Sequence, residues 1–388
     1  MDFFINTDQA STASPKAPGV GNAMMRFIDA GAFNASRGIY TGAFDTEAML
    51  YRTREQLSEL FDAPRLKNVT FSSGVTLAIN ALLYGILEKG DHVITSSMEH
   101  NAVIRPLAQL CEEGRIDFST AMADEEGRLD PERISDLIRP QTKLVLITAA
   151  SNVVGTCLPI REIGKICRER GILFAVDSAQ AAGTFPISMR DDHIDALAIT
   201  GHKGLMGPQG VGALLLSDAA AGLIKPLVCG GTGSFSQLET MPEPLPDRLE
   251  AGTLPLPAIA GLNRALDWIE ETGLTNIHKH KADLTAQFLR RVNKMPEIRV
   301  FGISDPEDRE GRVAVVSLQA DGMDPSELSQ HLSEAGVLTR VGLHCAPRAH
   351  QTIASYPEGT VRFSFAYSHS LPDIDKVADI LKSIVQTS

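Results

Sequence analysis

Six short apolar runs constrain the fold of this chain: Val69-Thr70-Phe71, His92 to Ser96, Lys143 to Ala149, Ile172 to Val176, Ala196 to Ile199 and Val211 to Leu216. Runs of this length, apolar at nearly every position and separated by helical patterns, are strands buried on both faces and paired largely in parallel. The expected class is therefore α/β, a mostly parallel sheet between helices. Helices are expected over about Thr46 to Leu60, from Thr76 through Leu87, and between Pro159 and Gly171, where proline opens and glycine closes the segment.

Polar and small residues collect where these runs end. They are Ser72-Ser73-Gly74-Val75-Thr76, Ser97-Met98-Glu99-His100-Asn101, Ala150-Ser151-Asn152, Asp177-Ser178-Ala179-Gln180 and Thr200-Gly201-His202-Lys203. Open α/β sheets bind ligands beyond the carboxyl ends of their strands, so His100, Asn152, Asp177, Gln180, His202 and Lys203 would share one crevice. Each also has a plain structural reading: His100 a helix cap, Asn152 a turn former, Asp177 a strand-end cap, His202 a core residue. The turn Ser73-Gly74-Val75-Thr76 precedes a helix whose free N–H groups would seat a phosphate, or it is an N-cap and nothing more. The stretch Thr200 to Leu216, T-G-H-K-G-L-M-G-P-Q-G-V-G-A-L-L-L, puts Lys203 between Gly201 and Gly204 in a tight bend that other groups must approach closely. A desolvated lysine amine there would be a nucleophile or base.

The first forty residues read as loops or an extended arm, including Asp8-Gln9-Ala10-Ser11-Thr12 and Ser36-Arg37-Gly38. Gly19-Val20-Gly21 follows no strand and is rejected as a dinucleotide fingerprint. Beyond a proline-rich connection, helices are expected over Ala258 to Thr272 and Asn276 to Asn293, with His278-Lys279-His280-Lys281 on a solvated face. The last hundred residues read as a smaller α+β unit with strands at Val313 to Leu318, near Val337 and at Thr360 to Phe365. Alternation in the last strand puts Arg362 and Ser364 opposite Val361, Phe363 and Phe365, and an arginine so placed grips a carboxylate or makes a surface salt bridge. Cys345, in Arg340-Val341-Gly342-Leu343-His344-Cys345-Ala346-Pro347, has cationic neighbours that favour a thiolate, although a buried inert cysteine fits the segment too.

With 36 basic and 48 acidic side chains and a net charge of −12, the chain has no polyanion-binding character, so nucleic acid is not an expected partner. No basic leader and no membrane-length apolar run are present, and a cytoplasmic protein is expected. The five cysteines lack C-x-x-C spacing, which argues against a disulfide framework or a zinc site; Cys111, Cys157 and Cys167 read as inert packing residues.

Taken together these motifs resemble the cysteine desulfurase and selenocysteine lyase family, within the class V aminotransferases of the fold type I pyridoxal-phosphate enzymes. The resemblance rests on Thr200-Gly201-His202-Lys203 with its Gly-Pro-x-Gly, Asp177-Ser178-Ala179-Gln180, Glu99-His100-Asn101, Ser151-Asn152-Val153-Val154-Gly155, Glu250-Ala251-Gly252-Thr253 and Val361-Arg362-Phe363-Ser364. It implies that Lys203 would hold pyridoxal 5'-phosphate as a Schiff base, that Asp177 would face the pyridinium nitrogen, that Gln180 would donate to the ring oxygen and that His100 would stack on the ring. Gly74, Val75, Thr76, Thr200 and His202 would hold the phosphate, and Thr253 would reach the phosphate of a neighbouring subunit in a homodimer. Asn152 would face cofactor or substrate, and Arg362 would bind the α-carboxylate of L-cysteine or L-selenocysteine. Cys345 would take the sulfur as a persulfide and pass it to an acceptor protein or thiol. An alternative within the same class is a selenocysteine lyase, C–S lyase, aminotransferase or epimerase in which Cys345 is not required. The resemblance further implies a large domain over 18–255, a small one over 256–388, and an arm, 1–17, packing against the small domain or the partner subunit. Three departures stand out: Ala149 where relatives often carry histidine, Val75 in the phosphate turn, and Tyr367-Ser368-His369 after the arginine strand.

Overall fold

A computed structural model of the chain describes residues 4–35 and 38–387, so Ser36 and Arg37 of the expected loop lie outside the described residues. The N-terminal part contains β1 (Ile5–Asn6), α1 (Val20–Asp29), α2 (Thr41–Phe61), β2 (Val69–Ser72), α3 (Val75–Ile86), β3 (Asp91–Ser96), α4 (Asn101–Glu112) and β4 (Ile116–Ala121). There follow α5 (Glu132–Leu137), β5 (Thr142–Thr148), α6 (Ile160–Arg170), β6 (Leu173–Asp177), β7 (Ala196–Thr200), β8 (Gly212–Leu216) and α7 (Asp218–Leu223). After the proline-rich connection come α8 (Leu256–Thr272), α9 (Leu274–Val292), β9 (Ile298–Phe301), β10 (Val315–Ala320), α10 (Pro325–Glu334) and β11 (Val337–Leu338). The chain closes with β12 (Arg340–Gly342), α11 (Pro347–Thr352), β13 (Thr360–Ser364) and α12 (Leu371–Thr387).

The expected sheet is present, seven strands in the order β2-β8-β7-β6-β5-β3-β4, all parallel except β8, which runs against β2 and β7. Its two faces are both covered, as continuous apolar strands require. Along β5, Val145 and Ile147 enter one core while Leu144 and Leu146 enter the other. The helix between Pro159 and Gly171 is α6; Glu162 in its first turn, Arg168 and Arg170 in its last, and Gly171 at φ 66° complement its dipole and end it.

A second sheet, antiparallel in the order β12-β13-β10-β9, has its own core of Val316, Leu318, Val361, Phe363 and Phe288. The first forty residues differ from the expectation of loop and arm. Val20–Asp29 is helical, with Val20 buried and Met24 and Phe27 packed against the core of the large sheet, one stripe at i, i+4 and i+7. Among the described residues no helix is long and apolar enough to cross a membrane.

Candidate active site

The parallel strands deliver their ends to one place because their registers are level: Thr148 pairs with Asp177, and Asp177 with Ala198. Lys203 lies three residues beyond β7. Burial pushes its amine down to about 8, with Asp177 opposing and Arg362 reinforcing the shift. The bend around it is as tight as its glycines imply. A Cβ on Gly204 would sit 2.3 Å from the Ala182 carbonyl, and one on Gly183 would sit 2.5 Å from the Gly204 carbonyl. The loop carrying Lys203 and the turn after Asp177 therefore pack backbone against backbone, which no larger residue allows.

Asp177 is buried, and its Oδ1 accepts the Ala179 N–H at 2.9 Å; burial raises its pKa while Ala179 and Lys203 pull the other way. Asp177 thus caps its strand end. His100 caps α4, its Nδ1 accepting the Ala102 N–H at 2.9 Å, which leaves the proton of the neutral ring on Nε2. Burial, with Lys203 and two arginines nearby, pushes His100 down to about 4. His202 is pushed down to about 4 for the same chief reason, and its buried Nδ1 has no partner in the protein.

At the start of α3, Gly74 takes φ 147° and no side chain caps the helix, so the N–H groups around Val75 and Thr76 stay available. Thr200 Oγ1 lies 3.5 Å from where a Gly74 Cβ would be. An uncapped helix start with a threonine hydroxyl beside it has the donors an anion would need. Gln180 donates its amide to the Ala10 carbonyl at 3.0 Å, so one of its N–H groups is committed to the N-terminal strap.

Arg362 is 3% exposed, aimed from β13 into the same cleft, and its Nη1 donates to the Asn152 carbonyl at 2.9 Å. The Asn152 amide donates to the His344 carbonyl at 2.7 Å, and the Asn101 N–H donates to the Cys345 carbonyl at 2.8 Å. Those bonds tie the Cys345 segment to two strand ends of the large sheet. His344 and Cys345 both adopt left-handed backbone, φ 49° and 58°, and the thiol-bearing residue is exposed. Thr253 stands apart. It lines an open cleft of about 730 Å³ with Tyr51, Arg54 and Glu250, and does not join the Lys203 cluster within this chain.

A family model described as aminotransferase class-V matches residues 5–377. The chain belongs to that family. A probable cysteine desulfurase of Methanothermobacter thermautotrophicus is 32% identical over 382 residues, 97% of this chain and 94% of that protein. The apo cysteine desulfurase of Thermococcus onnurineus NA1 matches in structure with a TM-score of 0.92 at 26% identity, covering 99% of this chain and 95% of that one. The cysteine desulfurase CsdA from Escherichia coli matches with a TM-score of 0.88 at 25% identity, again over 99% and 95%. The architecture is thus the fold type I arrangement of those enzymes.

The structure adds four features whose partners no sequence motif of this class V aminotransferase names. Glu99 is completely buried; its Oε1 accepts Ser96 Oγ at 2.6 Å and the Thr148 N–H at 3.0 Å, and its Oε2 has no partner. Asp8 and Ser11, from the strap, both reach Arg362. Glu250 anchors the Glu250-Ala251-Gly252-Thr253 motif by accepting from the Phe71 N–H and from Arg54 Nη2, both at 2.7 Å. Lys281 overturns the expected solvated face: burial lowers its amine to about 8, and it shares with Lys203 and Gln180 a cavity of about 40 Å³. Its amine donates to Thr184 Oγ1 at 3.3 Å. Ile277, Leu284 and Phe288 are buried on the same stripe of α9, and this spacing is the signal that would have exposed it. Cys111 also departs from expectation, being exposed on α4, whereas Cys157 and Cys167 are pushed up to about 12 by burial and fit the inert reading.

Proposed function

We propose that the protein is a pyridoxal-phosphate-dependent cysteine desulfurase that converts L-cysteine to L-alanine and leaves the sulfur as a persulfide on Cys345. The observation that carries this reading is the tether of the Cys345 segment to Asn101 and Asn152, which brings a thiol to the cleft that holds Lys203 and Arg362. The residues present suit the cofactor. The uncapped start of α3, with Gly74, Val75 and Thr76, joins Thr200 and the unpartnered Nδ1 of His202 to receive a phosphate, and the buried Asp177 carboxyl suits a cationic ring nitrogen. When bound at Lys203, pyridoxal phosphate supplies an electron sink for bonds to the substrate α-carbon.

The protein's own groups divide the remaining work. Arg362 binds the α-carboxylate and fixes the amino acid's orientation. Lys203, with its amine lowered to about 8, is available near neutral pH to take the α-proton and return a proton to the product. Cys345 attacks the substrate sulfur, a sulfur–sulfur bond forming as the carbon–sulfur bond breaks, and the carbon skeleton leaves as alanine. His100, held neutral with its hydrogen on Nε2, would stack on the cofactor ring, Gln180 would offer its free N–H to the ring oxygen, and Asn152 positions both Arg362 and the thiol segment. The persulfide passes to an acceptor protein or thiol.

We infer a homodimer, with Thr253 completing the partner's phosphate seat. Exposed Met25, Ile28, Phe33, Tyr40, Phe44, Tyr51 and Leu77 support this, since Tyr51 lines the same cleft as Thr253 and Leu77 adjoins Thr76. The corresponding division is a large cofactor-binding domain, 18–255, and a small domain, 256–388. The decisive test is Cys345→Ala in cofactor-loaded protein supplied with L-cysteine. Loss of alanine formation, with a one-sulfur adduct found on Cys345 of the wild type, supports the reading. Alanine and sulfide produced by the variant at the parental rate would instead identify a lyase for which Cys345 is dispensable.

A further inference from the structure

The Arg362 guanidinium is already held by the chain itself. Nη2 donates to Asp8 Oδ1 at 3.2 Å and to Ser11 Oγ at 3.0 Å, Nη1 donates to the Asn152 carbonyl, and the buried Nε has no partner. Ser11 Oγ in turn donates to Asp8 Oδ1 at 2.6 Å, and Arg340 Nη1 approaches Asp8 Oδ2 at 3.5 Å. An amino group of guanidinium has two hydrogens, so both on Nη2 are used. A fork-like grip on a carboxylate needs Nη2 together with Nη1 or Nε. No such edge is free while Asp8 and Ser11 stay in place.

The strap that brings them is fastened at both ends. Thr7 N–H donates to the Leu338 carbonyl of β11 at 2.8 Å, and Ala10 N–H donates to Ser364 Oγ of β13 at 2.8 Å. Ala13 N–H donates to the His202 carbonyl at 2.8 Å, beside Lys203, and Ala17 N–H to the Met206 carbonyl at 3.0 Å. Asp8 therefore stands as a carboxylate in the place where a ligand carboxylate is needed, on a segment linked to the loop of Lys203.

We propose that Asp8 is a resident carboxylate on Arg362 that the substrate's α-carboxylate must displace, so that Asp8 sets the affinity for amino acids and links site occupancy to the strap. The inference rests on the reading of Arg362 as the α-carboxylate ligand. A negative charge beside the guanidinium cancels part of its attraction for an incoming anion, and the incoming carboxylate gains Nη2 only as Asp8 and Ser11 release it.

The test uses pyridoxal-phosphate-loaded full-length protein titrated with L-alanine, a sulfur-free amino acid, with binding read from the change in visible absorbance. Asp8→Asn keeps an acceptor at the position and removes the charge. Its Kd for alanine is expected to fall on the order of tenfold below wild type. Ser11→Ala, which frees one Nη2 hydrogen without altering charge, is expected to tighten binding by a smaller factor, and it carries the test if Asp8→Asn does not fold. In the wild type, saturating alanine should accelerate hydrogen exchange at Ala10 and Ala13. Unchanged or weakened binding in both variants would overturn the inference and leave Asp8 as a brace for Arg362. Equal alanine binding by wild type and Arg362→Ala would instead overturn the assignment of Arg362 beneath it.

Discussion

Replacing Glu99 by glutamine makes stability depend on pH in a way that isolates one proton. The carboxyl is fully buried, both of its hydrogen bonds fall on Oε1, and burial pushes its pKa up to about 8 from 4.5, with Asp177 adding to the rise. Because the folded pKa is raised, the stability that Glu99 contributes is fully present below 4.5 and is lost as pH climbs through about 8. One proton shifts stability by about 1.4 kcal/mol per pH unit, and the roughly 3.5 units between the two states amount to about 5 kcal/mol at most. Glutamine imitates the protonated acid and does not titrate. Urea denaturation of cofactor-free wild type and Glu99→Gln should give similar stabilities near pH 4.5, with the variant ahead by about 3 kcal/mol at pH 7 and by more at pH 9. All other titrating groups are common to both proteins and cancel. A difference that stays constant with pH would refute the reasoning and place an ionised Glu99 in the folded protein. A protonated Glu99 has a purpose at this site, since it lets the neighbouring Asp177 hold the negative charge.

Lys281→Met should stabilise the cofactor-free protein by about 1–2 kcal/mol at pH 7. The lysine's amine is lowered to about 8 from 10.5, so its penalty is full below about 8 and is relieved as pH rises toward 10.5; a gain that fails to shrink over that window in urea melts would contradict this. Asn152→Ala removes the bond to the His344 carbonyl, about 1–2 kcal/mol of local stability, and should speed hydrogen exchange of the Leu343 to Ala346 amides by about five- to thirtyfold, where no change would show the segment is held by other means.

What could be read from sequence follows burial. Strands β5, β6 and β7 are buried on both faces and announce themselves as apolar runs, and the polar residues at their ends are adjacent in sequence to those runs. Edge strand β4 was not legible, because Asp117 is exposed and Phe118, Ser119 and Thr120 are half-buried, giving neither a continuous run nor a clean alternation. Helix α1 does carry an apolar stripe, Val20, Met24 and Phe27, but it sits in a segment rich in alanine, glycine, serine and proline whose composition reads as loop. Asp8 was invisible as a site residue for another reason: it meets Arg362 across 354 positions, and nothing local distinguishes it from a loop aspartate. Lys281 was misread from a polar run in which helical spacing, rather than composition, decides which side chain turns inward.

The proposed chemistry requires the cofactor on one particular amine, and the chain offers two with lowered pKa in one cavity, Lys203 and Lys281. Borohydride reduction of pyridoxal-phosphate-loaded protein, followed by peptide mapping, tests this directly. A pyridoxyl adduct on Lys203, with Lys281 unmodified, is the expected result; an adduct on Lys281, or none at all, would contradict it.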